Sequence, residues 1–123
     1  MAYTTRETTI YPSLARTTDS TVDVDNEAGY RGVILVIDMT VDPGTDTVTF
    51  TIQGKDSLSG KYYTILASTA LTAVATTVLR VFPGSTVTAN LAANDHLPAV
   101  WRIDANHSAA TTTTYSVSAI LLP

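Results

Sequence analysis

The sequence predicts an all-β protein: an antiparallel β-sandwich of seven to eight strands, jelly-roll or immunoglobulin-like, with an extended N-terminal arm. Three observations carry that prediction. Apolar and polar residues alternate with period two through most of the chain, which marks strands that bury one face and wet the other. Clusters of Pro, Gly, Asn and Asp punctuate the alternation at short intervals, as turns between strands require. No segment keeps an apolar stripe at helical spacing, and 123 residues with 45% apolar content supply one core rather than two.

Residues 1–20 are Thr-rich, with one apolar knot at Ile10-Tyr11-Pro12-Ser13-Leu14. That stretch has neither a helical stripe nor clean alternation, and Pro12 has no amide to give to a ladder. It reads as an extended arm or an interrupted edge strand, with a partly disordered terminus as the plain alternative. The sandwich is assigned to residues 21–123. At its start Val22 and Val24 take one side of a strand, and Asp23 and Asp25 the other. From Val33 to Val41 the odd positions are all apolar, while the even ones begin apolar and turn polar, so one face is core throughout and the other only at its start. Asp42-Pro43-Gly44-Thr45-Asp46 turns the chain into Thr47–Gln53, which alternates strictly with Val48, Phe50 and Ile52 inward.

Gly54 to Gly60 is a loop by composition and delivers the chain into Lys61–Ala67, rich in strand formers. Ser68 to Ala75 is a short strand or loop, its Thr and Val residues arguing against the helix its alanines suggest. Thr76–Phe82 is a strand stopped by Pro83-Gly84, and Asn90 to Asp95 is a loop. In Ala99–Asp104 the residues Ala99, Trp101 and Ile103 share one face, which makes Trp101 a core residue; the turn Asn106–Ala110 then leads to a last strand from Thr112 to Leu122.

Charge is sparse. Seven Lys+Arg against eleven Asp+Glu give −4 at pH 7, and 15% of residues are charged where soluble domains average about 25%. The basic residues are scattered, so no stripe exists to displace phosphate counterions, and nucleic acid is not expected as a partner. The absence of cysteine excludes disulfide scaffolds, thiolate metal sites and cysteine nucleophiles. No apolar run approaches the roughly 18 residues that span a bilayer, and the N-terminus lacks a signal-peptide pattern, so no membrane partner is expected and folding is assigned to a cytoplasm. His96 and His107 fall in predicted loops and read as solvated, since neither HExxH nor GxSxG surrounds them. The acidic run Asp19, Asp23, Asp25, Glu27 lacks the glycine and closing glutamate of an EF-hand loop. No catalytic residue, metal or cofactor is therefore assigned, and the protein is expected not to be an enzyme. Tyr62 and Tyr63 are adjacent, so one of them must face outward if they share a strand, and this pair is the candidate surface contact.

Residues 30–122 resemble a group of small β-sandwich virion proteins of tailed bacteriophages. The resemblance rests on Gly32–Ile37, on Val48–Asp56 leading into Gly60–Leu66, on Val78–Val81, and on Trp101-Arg102-Ile103 with Thr114–Ser118. It implies a capsid decoration or cement protein: a structural, non-enzymatic subunit on the outer surface of the phage head. Such a subunit binds the major capsid protein, self-associates as a homotrimer, and stabilises the shell after assembly in the host cytoplasm. An arm that reaches a neighbour by strand addition would use Ile10, Tyr11, Pro12 and Leu14. A neck or tail component of the particle is the near alternative. The alternative from another class is a discoidin-like carbohydrate-binding module, with Tyr62 or Tyr63 against the sugar. Deleting residues 1–18 is expected to abolish capsid binding while keeping the fold, and replacing either tyrosine would test the sugar reading.

Overall fold

The computed structural model describes residues 5–123. Its regular structure is nine strands: β1 (Arg6–Arg16), β2 (Ser20–Asp25), β3 (Gly32–Val41), β4 (Val48–Lys55), β5 (Tyr62–Ala67), β6 (Ala75–Val81), β7 (Ala92–Ala93), β8 (Val100–His107) and β9 (Thr113–Leu122). They form two sheets, ordered β1-β9-β3-β6-β7 and β2-β8-β4-β5. Every pairing is antiparallel except the short β6–β7 contact.

The connections decide between the two architectures that the sequence left open. An immunoglobulin domain keeps its first two strands side by side in one sheet. Here β1 and β2 lie in opposite sheets, and the chain crosses again from β2 to β3, β3 to β4, β5 to β6, β7 to β8 and β8 to β9. This alternation is the eight-stranded jelly roll, with β7 added at one edge. The strand count exceeds the expected seven to eight because the segment expected as an arm forms β1, and because Ala92–Ala93, in a segment expected to be loop, reaches β6 through Arg80 and Val81.

Alternation built these strands. β4 reads buried and half-buried in turn from Val48 to Lys55, and β9 does so from Thr113 to Leu122. The inward residues meet between the sheets: Val33, Leu35, Ile37 and Met39 of β3 face Phe50, Ile52, Trp101 and Ile103, all essentially without solvent contact. Tyr115 is the hub at one end, packing edge-on to Phe50 at 4.9 Å and to Tyr11 at 5.9 Å between ring centroids.

The segment expected as an arm is, from Arg6 to Arg16, an edge strand of the first sheet; its residues 1–4 lie outside the described residues. Its register against β9 shifts on both sides of Tyr11, which lets the consecutive residues Ile10 and Tyr11 both turn into the core, at 7% and 5% exposure. Pro12 is tolerated because it sits on an edge strand at this irregularity.

Candidate functional site

The loop end of the second sheet carries both candidate tyrosines and an open cleft. β4 and β5 are joined by Asp56–Lys61, a tight turn organised by Asp56. Its carboxylate accepts the amides of Leu58 and Ser59 and the Ser59 hydroxyl, and these bonds hold the Asp56 carboxyl below its usual range. Gly60 adopts φ +75°, which closes the turn, and its amide bonds Asp56 O at 2.7 Å. The turn holds Leu58 out to solvent at 96% exposure. An apolar side chain on a hydrogen-bonded turn pays little entropy when a partner covers it.

The register of β5 assigns the two tyrosines to different sides. A bulge between Ile52 and Gln53 brings Tyr63 opposite Gly54 and Tyr62 opposite Lys55. Gly54 faces inward, and a Cβ there would lie 2.6 Å from the Tyr63 ring and 2.9 Å from Pro98, so the missing side chain is what lets Tyr63 settle over the end of the core. Tyr63 stays 46% exposed and borders an open cleft of about 540 Å³, lined also by Lys55, Asp56, Ser57, Pro98, Ala99 and Val100. Tyr62 lies on the outer face, where the Arg102 guanidinium stacks 3.7 Å from its ring centre and donates from Nε to Gln53 Oε1 at 2.6 Å. Of the pair, Tyr63 has the more open surface.

The far wall of this cleft is fixed by Asn26, which sequence reasoning missed. Its side-chain amide donates to the carbonyls of Tyr30, Leu97 and Pro98, and its Oδ1 accepts the Tyr30 amide. A buried asparagine with that many partners ties the β2–β3 connection to the segment before β8.

The opposite end holds the arm residues and the second histidine. Ile10 and Tyr11 face the protein's own core; Pro12 and Leu14 are exposed, Leu14 at 59%. The four residues proposed for partner contact thus divide, with only Pro12 and Leu14 on the surface. Arg16 closes over them from the end of β1, its guanidinium 5.1 Å from the Tyr11 ring centre and 4.7 Å from that of Tyr115, bonding the carbonyls of Pro12, Leu14 and Tyr115. His107 is not a solvated loop residue: it ends β8 on the inward side at 8% exposure. Its Nε2 lies 3.0 Å from the Tyr115 hydroxyl, its Nδ1 has no partner, and its amide donates to Asp19 at 2.6 Å. Burial pushes the imidazole below its usual pKa, with Asp19 partly opposing, and pushes Tyr115 up to about 12. The parity that made Trp101 and Ile103 inward also makes His107 inward, and that signal was available in the sequence. His96 is exposed, and among the described residues no three or more His, Asp or Glu are grouped to hold a metal ion.

No protein-family model matches the chain, and no curated protein matches it in sequence. Among solved structures it is similar to the Yersinia pseudotuberculosis-derived mitogen (YPM). The identity is 13%, the alignment covers 97% of this chain and 86% of that one, and the TM-score is 0.51. At that identity the similarity speaks to the fold alone: an all-β sandwich.

Proposed function

We propose that the protein is a non-enzymatic structural subunit of a tailed-phage particle, a capsid decoration protein that binds the major capsid protein on the outside of the head. The observation that carries this reading is the loop end: Tyr63 of β5 borders an open cleft, and Leu58 stands exposed on the hydrogen-bonded turn that also contributes Asp56 and Ser57 to that cleft. Preorganised apolar and aromatic groups of this kind make protein contacts efficiently. The resemblance of residues 30–122 to phage virion sandwiches is the reason for proposing the major capsid protein as the partner. Many such contacts repeated over a closed shell would add up to substantial resistance to internal pressure.

The test is co-sedimentation of the purified chain with DNA-filled, tail-free heads of the phage that encodes it, counting bound copies against the major capsid protein. Saturation at a fixed ratio of hundreds of copies per head is the expected result. A handful of copies would move the protein to the neck or tail, and no binding would overturn the virion reading. A second reading, a discoidin-like sugar-binding module, is favoured by one observation: Tyr63 presents a half-exposed ring to a cleft that also holds Asp56 and Ser57. That reading requires glycan affinity lost in Tyr63→Ala.

A further inference from the structure

The two outer faces of the sandwich differ in chemistry. Outside the second sheet lie Asp23 and Asp25 of β2, Arg102 and Asp104 of β8, and Thr51 and Gln53 of β4. Outside the first sheet the apolar residues are Ile34 and Val36 of β3, Val78 of β6, Ile120 and Leu122 of β9, and Phe82 just beyond β6, each partly exposed, while Asp38, Thr76 and Ser116 make the same face polar toward the end of β3. The apolar part is the start of the even-numbered face of β3, continued across its neighbours. None of these side chains is as exposed as Leu58 or Tyr63, but together they form a continuous set on one sheet face, which is what a contact surface is built from.

The strand register gives that face a second property. One row crosses four strands: Glu7 of β1 stands opposite Ile120 of β9, Ile120 opposite Ile34 of β3, and Ile34 opposite Arg80 of β6. It reads acid, isoleucine, isoleucine, base, with both charged ends exposed. A two-fold axis parallel to the strands, passing between β9 and β3, lays this row on its own reverse. Glu7 then meets Arg80 of a second copy, Ile120 meets Ile34, and each contact occurs twice. The next row, Thr9, Ser118, Val36, Val78, places small hydroxyl residues over the valines in the same way. Self-complementarity of one patch is what a closed two-fold interface demands, and the usual angle of about 30° between packed sheets is within the reach of long Glu and Arg side chains.

We infer that the outer face of the first sheet docks a second copy of this chain, forming a two-fold pair centred on Ile34, Ile120, Val36 and Val78 and flanked by Glu7–Arg80 ion pairs. Four strands about 4.8 Å apart and some ten residues long give roughly 600 Å² per copy, the lower end of what a specific contact buries. The pair is therefore reversible. It leaves Leu58, Tyr63 and the cleft free, it does not rest on the capsid reading, and it departs from the trimer that the resemblance implies.

Sedimentation velocity on the full chain, from low micromolar to several hundred micromolar, tests it without heads present. The expected result is a shift with concentration from 13.0 kDa toward twice that mass. Arg80→Glu and Glu7→Arg each put like charges together at both flanks and should weaken pairing at least about tenfold. The double variant Glu7→Arg/Arg80→Glu restores both pairs with reversed sign and should recover most of the affinity. Thr51→Asp, on the other face, should change nothing, and melting curves confirm that each variant is folded. A wild-type chain that stays monomeric throughout, a trimer, or a double variant no better than the singles would overturn the inference. Loss of head binding with pairing intact would count against the capsid reading alone.

Discussion

At two glycines a hydrogen atom in place of a methyl group decides how closely neighbouring groups settle. A Cβ on Gly54 would meet the far end of the Tyr63 ring, which can swing away, whereas a Cβ on Gly32 would meet Phe82 Cβ at 2.5 Å and the Val81 carbonyl at 2.6 Å. Backbone yields less readily than a ring, so Gly32→Ala should lower stability by about 2–3 kcal/mol and Gly54→Ala by about 1 kcal/mol. Thermal or urea unfolding of the two variants checks that order. His107 sets a pH dependence of known sign. Its folded pKa lies below the 6.5 of the unfolded chain, so as pH falls through that value the unfolded state takes up the proton first and stability is lost. The urea midpoint should therefore drop from about pH 7 to about pH 5, and His107→Gln should flatten that slope. Tyr115 gives the alkaline counterpart. Raised from 10.0 to about 12, it favours the folded state below pH 10 and loses that contribution as pH climbs through 12.

The first strand shows how an element can differ from the sequence pattern that announces it. Pro12 and the missing alternation made residues 1–20 read as an arm, yet β1 pairs with β9 from Arg6 to Arg16 and sends Ile10 and Tyr11 inward at the bulge. An irregular register hides a strand from any argument based on period two. Ile10→Ala should therefore cost about 2–4 kcal/mol, whereas Leu14→Ala, on the surface, should cost under about 0.5 kcal/mol, both read from urea unfolding. Deleting residues 1–18 would uncover the edge of β9 and the ring of Tyr115, so that truncation should lose most of its stability. Leu14→Asp probes the exposed part of the strand without touching the core.

For the molecule as a whole, the jelly-roll connections bring residues far apart in sequence to each end. Asn26 reaches Leu97 and Pro98 at one end, and at the other Asp19 bonds the His107 amide while Arg16 covers Tyr115. The cleft exists because β4, β5 and the approach to β8 meet there. Leu58→Ala should leave the melting temperature within a degree or two of wild type, because Leu58 is almost wholly exposed, whereas Tyr63→Ala, half-buried against Gly54, should lower it by several degrees; on the capsid reading each should weaken head binding about tenfold or more. Co-sedimentation beside a melting curve separates the two effects.

The all-β class, nearly every strand from β2 to β9, and the inward positions of Val48, Phe50, Ile52, Trp101 and Ile103 are legible in the amino-acid order, because a regular strand writes its buried face into every second residue. The remainder depends on how the strands pair. Jelly-roll and immunoglobulin connections share the same one-dimensional pattern, so only the pairing of β1 with β9 and β2 with β8 distinguishes them. Strand pairing also decided which tyrosine borders the cleft, through a bulge in β5 that no periodicity foretells, and it set Glu7, Ile120, Ile34 and Arg80 in one row. Those relations hold between residues more than a hundred positions apart in the chain at the extreme, and a local pattern carries no information about which strand will lie beside it.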